Sequence, residues 1–443
     1  MDEFTSLFGS SSAITLATLT AYFQNLKRAL YFVKVAPNPI GIVTLGITAP
    51  GTYGLTIGGV AISVSIPASP PPTAQSVIET LIAEINNNTT INQLVQAEYR
   101  LNGAGLPVYA DFFLRSKDGN IFSLTSAGPN LVAGAVAAPA TLGYLDWVAA
   151  IDRLRATEEE SDLGFLVCPQ AFYSLTNQFE RTVVGNAMEQ SCRSLGWMAL
   201  IDPGAPSVVD HPIRAKLDAA GYTAIRGHSA YYYPYLKNAS VADVAPSAMV
   251  AAFALQCYEN LGIQKPPAGS NYPFRGIAKV AFQLTQSQRD DLATARINTI
   301  LFKAGVGFVP GDTLTRSIDP NFKMISTRVI MSCIERTIQQ TLDVSGLLFE
   351  SVGGSGLFFI RLKQLLEGVL ARFYEGEALY GDRPEDAYSV KCDASIQQSA
   401  DLEAGIVNSE IFVVPAATAR QIRGVVFRVP IGNIPQALLG RGL

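Results

Sequence analysis

The chain has 443 residues, and at roughly 100 to 200 residues per domain that length predicts two to four domains instead of one core. Lysine and arginine total 33 against 37 aspartates and glutamates; a net charge of −4 with no basic block argues against a nucleic-acid phosphate surface. Charged residues make up 16 %, against about 25 % in an ordinary soluble protein, so part of the surface is expected to lie under other chains.

Met1, Asp2, Glu3 and Phe4 lack the basic region and apolar stretch of a signal peptide, so the chain is expected to be made and kept in the cytosol. Residues 18–25 read as a short helix and 29–35 as a strand, stopped by Pro37 and Pro39. Tyr53, Leu55 and Ile57 alternate with small or polar residues, Gly58 and Gly59 form a two-residue turn, and Val60, Ile62, Val64 and Ile66 alternate again. That pattern predicts a hairpin. After Ser69, Pro70, Pro71 and Pro72, one helix face carries Val77, Ile78, Leu81, Ile82 and Ile85 and ends at Asn86, Asn87 and Asn88. Residues 40–131 are therefore expected to form a small α+β module. Spanning a bilayer takes about 20 apolar residues. The nearest window, 131–151, is broken by Gly134, Pro139, Gly143 and Asp146.

Beyond an Ala- and Gly-rich stretch at 132–140 the rhythm changes. Residues 145–154 read as a helix, 163–168 as a buried strand, 172–195 as a helix, and 197–201 as a strand closed by Asp202 and Pro203. Strand, helix, strand predicts a crossover and a parallel sheet covered by helices. A strand at 224–235 and a helix at 248–258 follow. Ile325, Val329, Ile330, Ile334, Ile338 and Leu342 then form an apolar stripe, with Arg328, Glu335, Arg336 and Gln339 outside it. Phe358, Phe359, Leu362, Leu365, Leu366, Val369 and Phe373 mark the buried face of a second helix, leaving Arg361, Lys363, Glu367 and Arg372 on its back. Near the end, Val425, Phe427 and Val429 alternate with Val426 and Arg428 until Pro430, Gly432, Pro435 and Gly440 stop regular structure. Such a tail either frays or adds as a strand to a neighbour's sheet edge.

Candidates for chemistry are few. Cys168, Cys192, Cys257, Cys333 and Cys392 are far apart, odd in number and without CxxC, which disfavours zinc and a disulfide framework and predicts buried small apolar residues. His211 sits in a turn. Gly227, His228, Ser229, Ala230 and Tyr231 approach a G-x-S-x-G elbow but end in Tyr231, and in a strand His228 points away from Ser229. Gly305, Gly307 and Gly311 are spaced G-x-G-x-x-x-G with no helix start behind them, which disfavours a phosphate loop. Glu158, Glu159, Glu160 and Asp162 read as a solvated loop. No catalytic, cofactor-binding or metal-binding residue is expected.

Several segments, in one order along nearly the whole chain, resemble the contractile tail sheath proteins of bacteriophages (myophage type) and related injection systems. Phe4, Thr5, Ser6, Leu7, Phe8 and Gly9 resemble that family's FG segment, and 22–35 its helix followed by a strand. Residues 162–169 and 197–203 resemble the strands of its α/β core; 227–237, with its tyrosine run and Pro234, is similar to its "H-S-A-x-Y-Y-P-W" strand, Tyr235 replacing the tryptophan. Pro267, Ala268, Gly269, Ser270 and Asn271, then Arg275 and Gly276, resemble its "P-A-G-N … R-G" loop, and Gly376, Glu377, Ala378, Leu379, Tyr380 and Gly381 its "G-A-L-x-G". Residues 388–393, Gly405 and 411–422 complete the C-terminal module. The FG motif starts at Phe4, so the family's N-terminal arm is expected to be missing, and its "W-G-A-R-T-L" loop is reduced to Pro310, Gly311, Asp312, Thr313 and Leu314.

The resemblance implies a multidomain α/β and α+β fold. Its core is built from N- and C-terminal parts, with 1–39 joining 132–320; 40–131 is an inserted small α+β domain, 321–421 a C-terminal module with two long helices, and 422–443 an extended C-terminal arm. It implies a structural subunit instead of an enzyme, with no cofactor: a contractile phage tail sheath, stacked as hexameric rings around an inner tube, contracting from a metastable extended state to drive the tube through the host envelope. The partners implied are further copies, the inner tail tube protein, and baseplate and tail terminator proteins, without nucleic acid or membrane insertion. The implied location is the virion tail, assembled in the host cytoplasm. Two packings of one subunit need tethers that survive the change. Ile422, Val425, Phe427 and Val429 are expected to pair with a neighbour's sheet, with Gly424 and Gly432 as hinge. Arg361, Lys363 and Arg372 are the candidates to face acids on the tube. The competing readings are another tail component such as a baseplate protein, and an α/β hydrolase.

Overall fold

The computed structural model describes residues 13–25, 39–46, 48–101, 106–117, 120–127, 131–136, 142–154, 164–222, 227–348, 350–353 and 356–419. The FG-like segment, the expected strand at 29–35, the acidic run at 158–162 and the tail from 420 lie outside these residues. Helix α1 (Ala13–Asn25) is fastened to the middle of the chain. The Thr18 hydroxyl accepts the Ala245 amide at 3.2 Å, and the Asn25 side chain accepts the Arg275 amide at 2.7 Å and donates to its carbonyl at 3.0 Å.

The next unit holds strands β1 (Ile40–Leu45), β2 (Gly51–Ile57) and β3 (Val60–Ile66), helix α2 (Ala74–Asn87), and strands β4 (Val95–Leu101), β5 (Pro107–Ser116), β6 (Leu124–Ala127) and β7 (Leu131–Ala133). They form two antiparallel sheets, ordered β4-β5-β1-β7 and β3-β2-β6. The β2–β3 hairpin turns where expected: Gly58 and Gly59 have φ of 59° and 84°, and a two-residue turn needs both in the left-handed region. Thr73 and Ser76 cap α2 reciprocally, each side chain taking the other's amide. The predicted stripe Val77, Ile78, Leu81, Ile82 and Ile85 is buried against Tyr53, Leu55, Phe112 and Leu114, each side chain contributing about 1.5–3 kcal/mol.

One buried ion pair links this unit to the next. Arg115 on β5 reaches Asp146 at 2.7 Å and Glu98 at 3.2 Å; Asp146 belongs to helix α3 (Tyr144–Leu154) and also accepts the Gly143 amide. Beyond α3 come β8 (Phe165–Val167), helices α4 (Pro169–Ser174) and α5 (Gln178–Leu195), β9 (Met198–Ile201), α6 (Pro212–Ala220) and β10 (Ser229–Tyr233). Then follow β11 (Leu236–Asn238), β12 (Asp243–Val244), α7 (Pro246–Leu261), β13 (Ile277–Val280), α8 (Gln286–Thr294), β14 (Ile297–Lys303) and β15 (Gly307–Pro310). The single helix expected over 172–195 is two. The chain leaves the first at Leu175, and Asn177 starts the second by accepting the Phe179 amide at 3.0 Å, a cap that reads locally as a new beginning.

The central sheet runs β15-β14-β10-β9-β8, parallel except for β15. Side-chain alternation divides the tyrosine run of β10 between its two faces. Tyr231 and Tyr233 pack with Val184, Met188 and Ile201, whereas Tyr232 packs with Met249, Phe253, Ile325 and Val329. Both faces are buried, as a parallel sheet requires. The Tyr231 hydroxyl donates to Asp218 at 2.8 Å, and Asp218 pairs with Arg181 at 2.6 Å, so α5, α6 and β10 share one satisfied polar network. Asp202, after β9, accepts the Ser247 amide and hydroxyl at 2.8 and 2.6 Å and caps α7. Gly305 and Gly307 belong to the β14–β15 hairpin turn, with φ of 76° and 120°, and no helix follows them.

The last unit is two long helices, α9 (Ile325–Val344) and α10 (Leu357–Glu375), and a hairpin-like pair β16 (Tyr388–Lys391) and β17 (Glu410–Val413). Ile330 and Ile334 pack on Phe359, Leu362, Leu366 and Leu370. Ile325 and Val329 join the cluster that contains Ala21 of α1, so α1 and the start of α9 cover one face of the sheet. Arg328 departs from its expected place outside the stripe. It is buried, its guanidinium 4.7 Å from the Phe322 ring centroid and 2.9 Å from Glu335, which makes burial of the charge tolerable. Among the described residues no helix is long and apolar enough to cross a membrane, and no group of His, Cys, Asp or Glu is arranged to hold a metal ion.

Candidate assembly site

An exposed groove beside a short two-stranded sheet lies on the C-terminal unit. Helix α10 starts after Gly356, whose φ is 72°, and turns Phe359, Leu362, Leu366, Val369 and Leu370 inward. After it, Glu377 adopts φ 57° and the chain folds back so that Tyr380 donates its amide to the Val414 carbonyl at 2.8 Å. Strands β16 and β17 pair from Tyr388 opposite Val413 to Lys391 opposite Glu410. Val390 is buried and Tyr388, Ile411 and Val413 half-buried toward α10, while Ser389, Lys391, Glu410 and Phe412 face out.

Among the described residues this sheet has two strands and no more. Val414 donates to the Ala387 carbonyl, and the antiparallel alternation then turns the N–H and C=O groups of Val390, Ile411 and Val413, and the C=O of Tyr388, toward the two outer edges, while the Tyr388 N–H is taken by the Pro384 carbonyl. A two-stranded ribbon is marginal by itself, and open edges are templates for a further strand. A groove of about 700 Å³ runs beside β16, between Ile360, Lys363, Gln364 and Glu367 of α10 and residues 389–393, with Phe412 at its rim. Ile360 is 52 % and Phe412 59 % exposed, and Tyr380 and Val414 extend the apolar surface nearby. Lys363 and Glu367 pair at 3.7 Å within the groove wall. The Ser395 hydroxyl and amide hold the Asp393 carboxylate below its usual range, and burial pushes the Cys392 thiol up. The groove thus runs beside a strand with an apolar rim and both signs of charge, which suits an extended peptide.

The predicted residues are distributed unevenly over this surface. Arg361 and Arg372 are exposed on α10, eleven positions apart and hence on the same side at about 100° per residue, while Lys363 turns away from them into the groove. Arg361 pairs with Glu350, and Arg372 sits in the last turn, where the helix dipole favours a cation. Ile422, Val425, Phe427, Val429, Gly424 and Gly432 lie outside the described residues; the described chain runs to 419, where Thr418 bonds Ser326 of α9 at 2.7 Å. The hydrolase candidate dissolves into the core: His228 is buried with Nδ1 2.9 Å from the Trp197 carbonyl, and Ser229 opens β10. The groove and its sheet are not evident from residue patterns alone. The signal is present but short, in the alternation of Tyr388, Val390 and Cys392 and of Ile411 and Val413.

No protein-family profile and no curated protein matches the chain. Solved structures do. A chain of the anti-feeding prophage baseplate, 6-fold symmetrised, aligns with a TM-score of 0.53 and 22 % identity over 69 % of this chain and 77 % of that one. The sheath complex of an extracellular contractile injection system, PVC, in its contracted state gives 0.51 and 19 % over 69 % and 77 %. The helical sheath of the anti-feeding prophage in its contracted state gives 0.51 and 20 % over 69 % and 79 %. The chain has the contractile sheath fold.

Proposed function

We propose that this protein is the repeating subunit of a contractile sheath, a structural protein and not an enzyme, in a phage tail or a related injection system. The observation that carries the proposal is an open-edged two-stranded sheet beside an apolar-rimmed groove, in a chain whose fold is shared with contracted sheaths over 69 % of its length. Copies stack as hexameric rings around an inner tube, and the extended stack stores the free energy released when it shortens. The tether is the C-terminal arm: Ile422, Val425, Phe427 and Val429 of one copy pair with the sheet edge of another, while Gly424 and Gly432 absorb the change of direction. Main-chain hydrogen bonds then persist while rings rotate. Arg361 and Arg372, on one side of α10, face acids of the tube; Lys363 belongs with the groove. Residues 40–131 form the inserted domain, held to the core through Arg115, and baseplate and terminator proteins close the two ends of the stack.

Negative-stain microscopy of the purified chain tests this reading: long hollow tubes are expected, and discrete particles would overturn it. A baseplate position is the second reading, favoured by the likeness to a baseplate chain, and it predicts single closed rings that do not stack.

A further inference from the structure

The turn between β11 and β12 is closed by Asn238 and Ala242. The Asn238 amide donates to the Ala242 carbonyl at 3.1 Å, and the Ala242 amide to the Asn238 side-chain oxygen at 2.9 Å. Ala239, Ser240 and Val241 form the loop between them, and the Val241 amide donates back to the Asn238 carbonyl at 3.0 Å. The last residue of such a loop takes the left-handed conformation, a place for glycine. Here it is valine, with φ of 63°. A side chain branched at Cβ is the poorest fit to that conformation, because Cβ crowds the following carbonyl. Among the described residues the other two non-glycine positions with positive φ, Arg296 and Glu377, are unbranched at Cβ.

Packing within the chain does not account for valine at this place. Its side chain is 55 % exposed and joins none of the apolar clusters of the described residues. Ala239 and Ser240 are exposed beside it, so the tip is uncharged. The hairpin behind the tip is firmly seated: Leu236 and Val244 are buried, Lys237 pairs with Asp243 at 2.7 Å, and the Tyr173 hydroxyl donates to Asp243 at 3.0 Å. Strand β13 pairs with the far side of β11. The result is a stiff projection that holds one apolar side chain in a conformation working against folding. We propose that Val241 is a contact between copies: the hairpin tip seats it in an apolar socket on a second copy of this chain, and burial there offsets the strain that the isolated chain carries. Backbone strain confined to one residue of a well-braced turn marks a functional position. The partner is a second copy because every chain carries the same strain and, in the sheath reading on which this rests, every chain meets the same neighbour. An uncharged tip fits the apolar centre of an interface, where charges are depleted.

Sedimentation of the full-length chain over a range of concentrations, paired with urea unfolding of the dilute chain, tests this. Val241→Gly relieves the turn and removes the apolar group, so its unfolding constant should fall about threefold while the concentration needed for assembly rises about tenfold. Val241→Thr keeps the branched Cβ, and with it the strain, but exchanges a methyl for a hydroxyl. Its stability should stay within about twofold of wild type, and its assembly should weaken nearly as much as that of the glycine variant. Opposite signs for stability and assembly in one variant are not expected of a residue that only shapes the turn. A glycine variant no more stable than wild type, either variant assembling at the wild-type concentration, or a wild-type chain that stays monomeric throughout would each overturn the contact. Assembly that depends on Val241 but yields single closed rings would uphold the contact and remove the stacked sheath.

Discussion

At the scale of single residues, some buried polar groups of the core are paired, as Asp218 is with Arg181 and Tyr231, while others, such as the Tyr232 hydroxyl, have no hydrogen-bond partner among the described residues. Asp202 illustrates the balance: buried among apolar neighbours, it is pushed up to about 7 by desolvation, although the Ser247 amide and hydroxyl favour its charged form. A raised carboxyl contributes stability that is complete below its unfolded value and lost as pH rises through 7. Asp202→Asn keeps an oxygen to accept the Ser247 amide, turns the Ser247 hydroxyl from donor to acceptor of the new Nδ2–H, and removes the titration. Thermal unfolding should therefore show a larger gain over wild type at pH 8 than at pH 5; an equal gain at both would mean Asp202 does not titrate there. Arg328 carries the lesson about reading such residues in advance. Its position outside an apolar stripe marks it as solvated, and nothing local announces that Phe322 and Glu335 will cover it. Burial of a charge is decided by tertiary partners that sequence spacing does not reveal.

At the scale of elements, the local code is strongest where backbone geometry demands a residue type. The β2–β3 hairpin is legible because Gly58 and Gly59 must both be left-handed and the flanking residues alternate. Gly58→Ala should cost about 1–2 kcal/mol in chemical denaturation. A Cβ there would also meet Leu94 at 2.6 Å, whereas at Gly59 nothing lies within 4 Å, so Gly59→Asn, strained only by its left-handed φ, should cost less. Equal costs at the two positions would contradict the turn geometry. The break between α4 and α5 escapes a reading by periodicity because the apolar pattern runs on across it, and only the Asn177 cap marks it. Strands β16 and β17 escape as a site for a different reason: each is four residues long, too short for alternation to stand out, and the groove exists only when α10 packs beside them. Helix α10 itself is legible, yet its three basic candidates divide between two sides. The double reversal Arg361→Glu with Arg372→Glu should weaken co-sedimentation with the inner tube by about tenfold or more in dilute salt, and Lys363→Glu should not. Equal effects would remove the distinction between tube side and groove.

At the scale of the whole molecule, the proposed sheath would give a low charge content and the exposed Ile360, Phe412, Tyr380 and Val414 one explanation in common, burial by other copies. The chain order of strands and helices makes the α/β core legible, since strand, helix, strand admits few arrangements. The assembly is not legible in that way, because the sequence of one chain does not state which surfaces its copies share. Deleting residues 422–443 should leave folded chains, with an unchanged circular dichroism spectrum, that no longer form tubes; normal tubes from that protein would refute the tether. The most direct test is a three-dimensional reconstruction of the assembled protein. It should show the groove between α10 and β16 filled by an extended segment of another copy, hydrogen-bonded along the strand edge. A map in which that groove faces solvent and each chain's last residues fold back on their own copy would contradict the account.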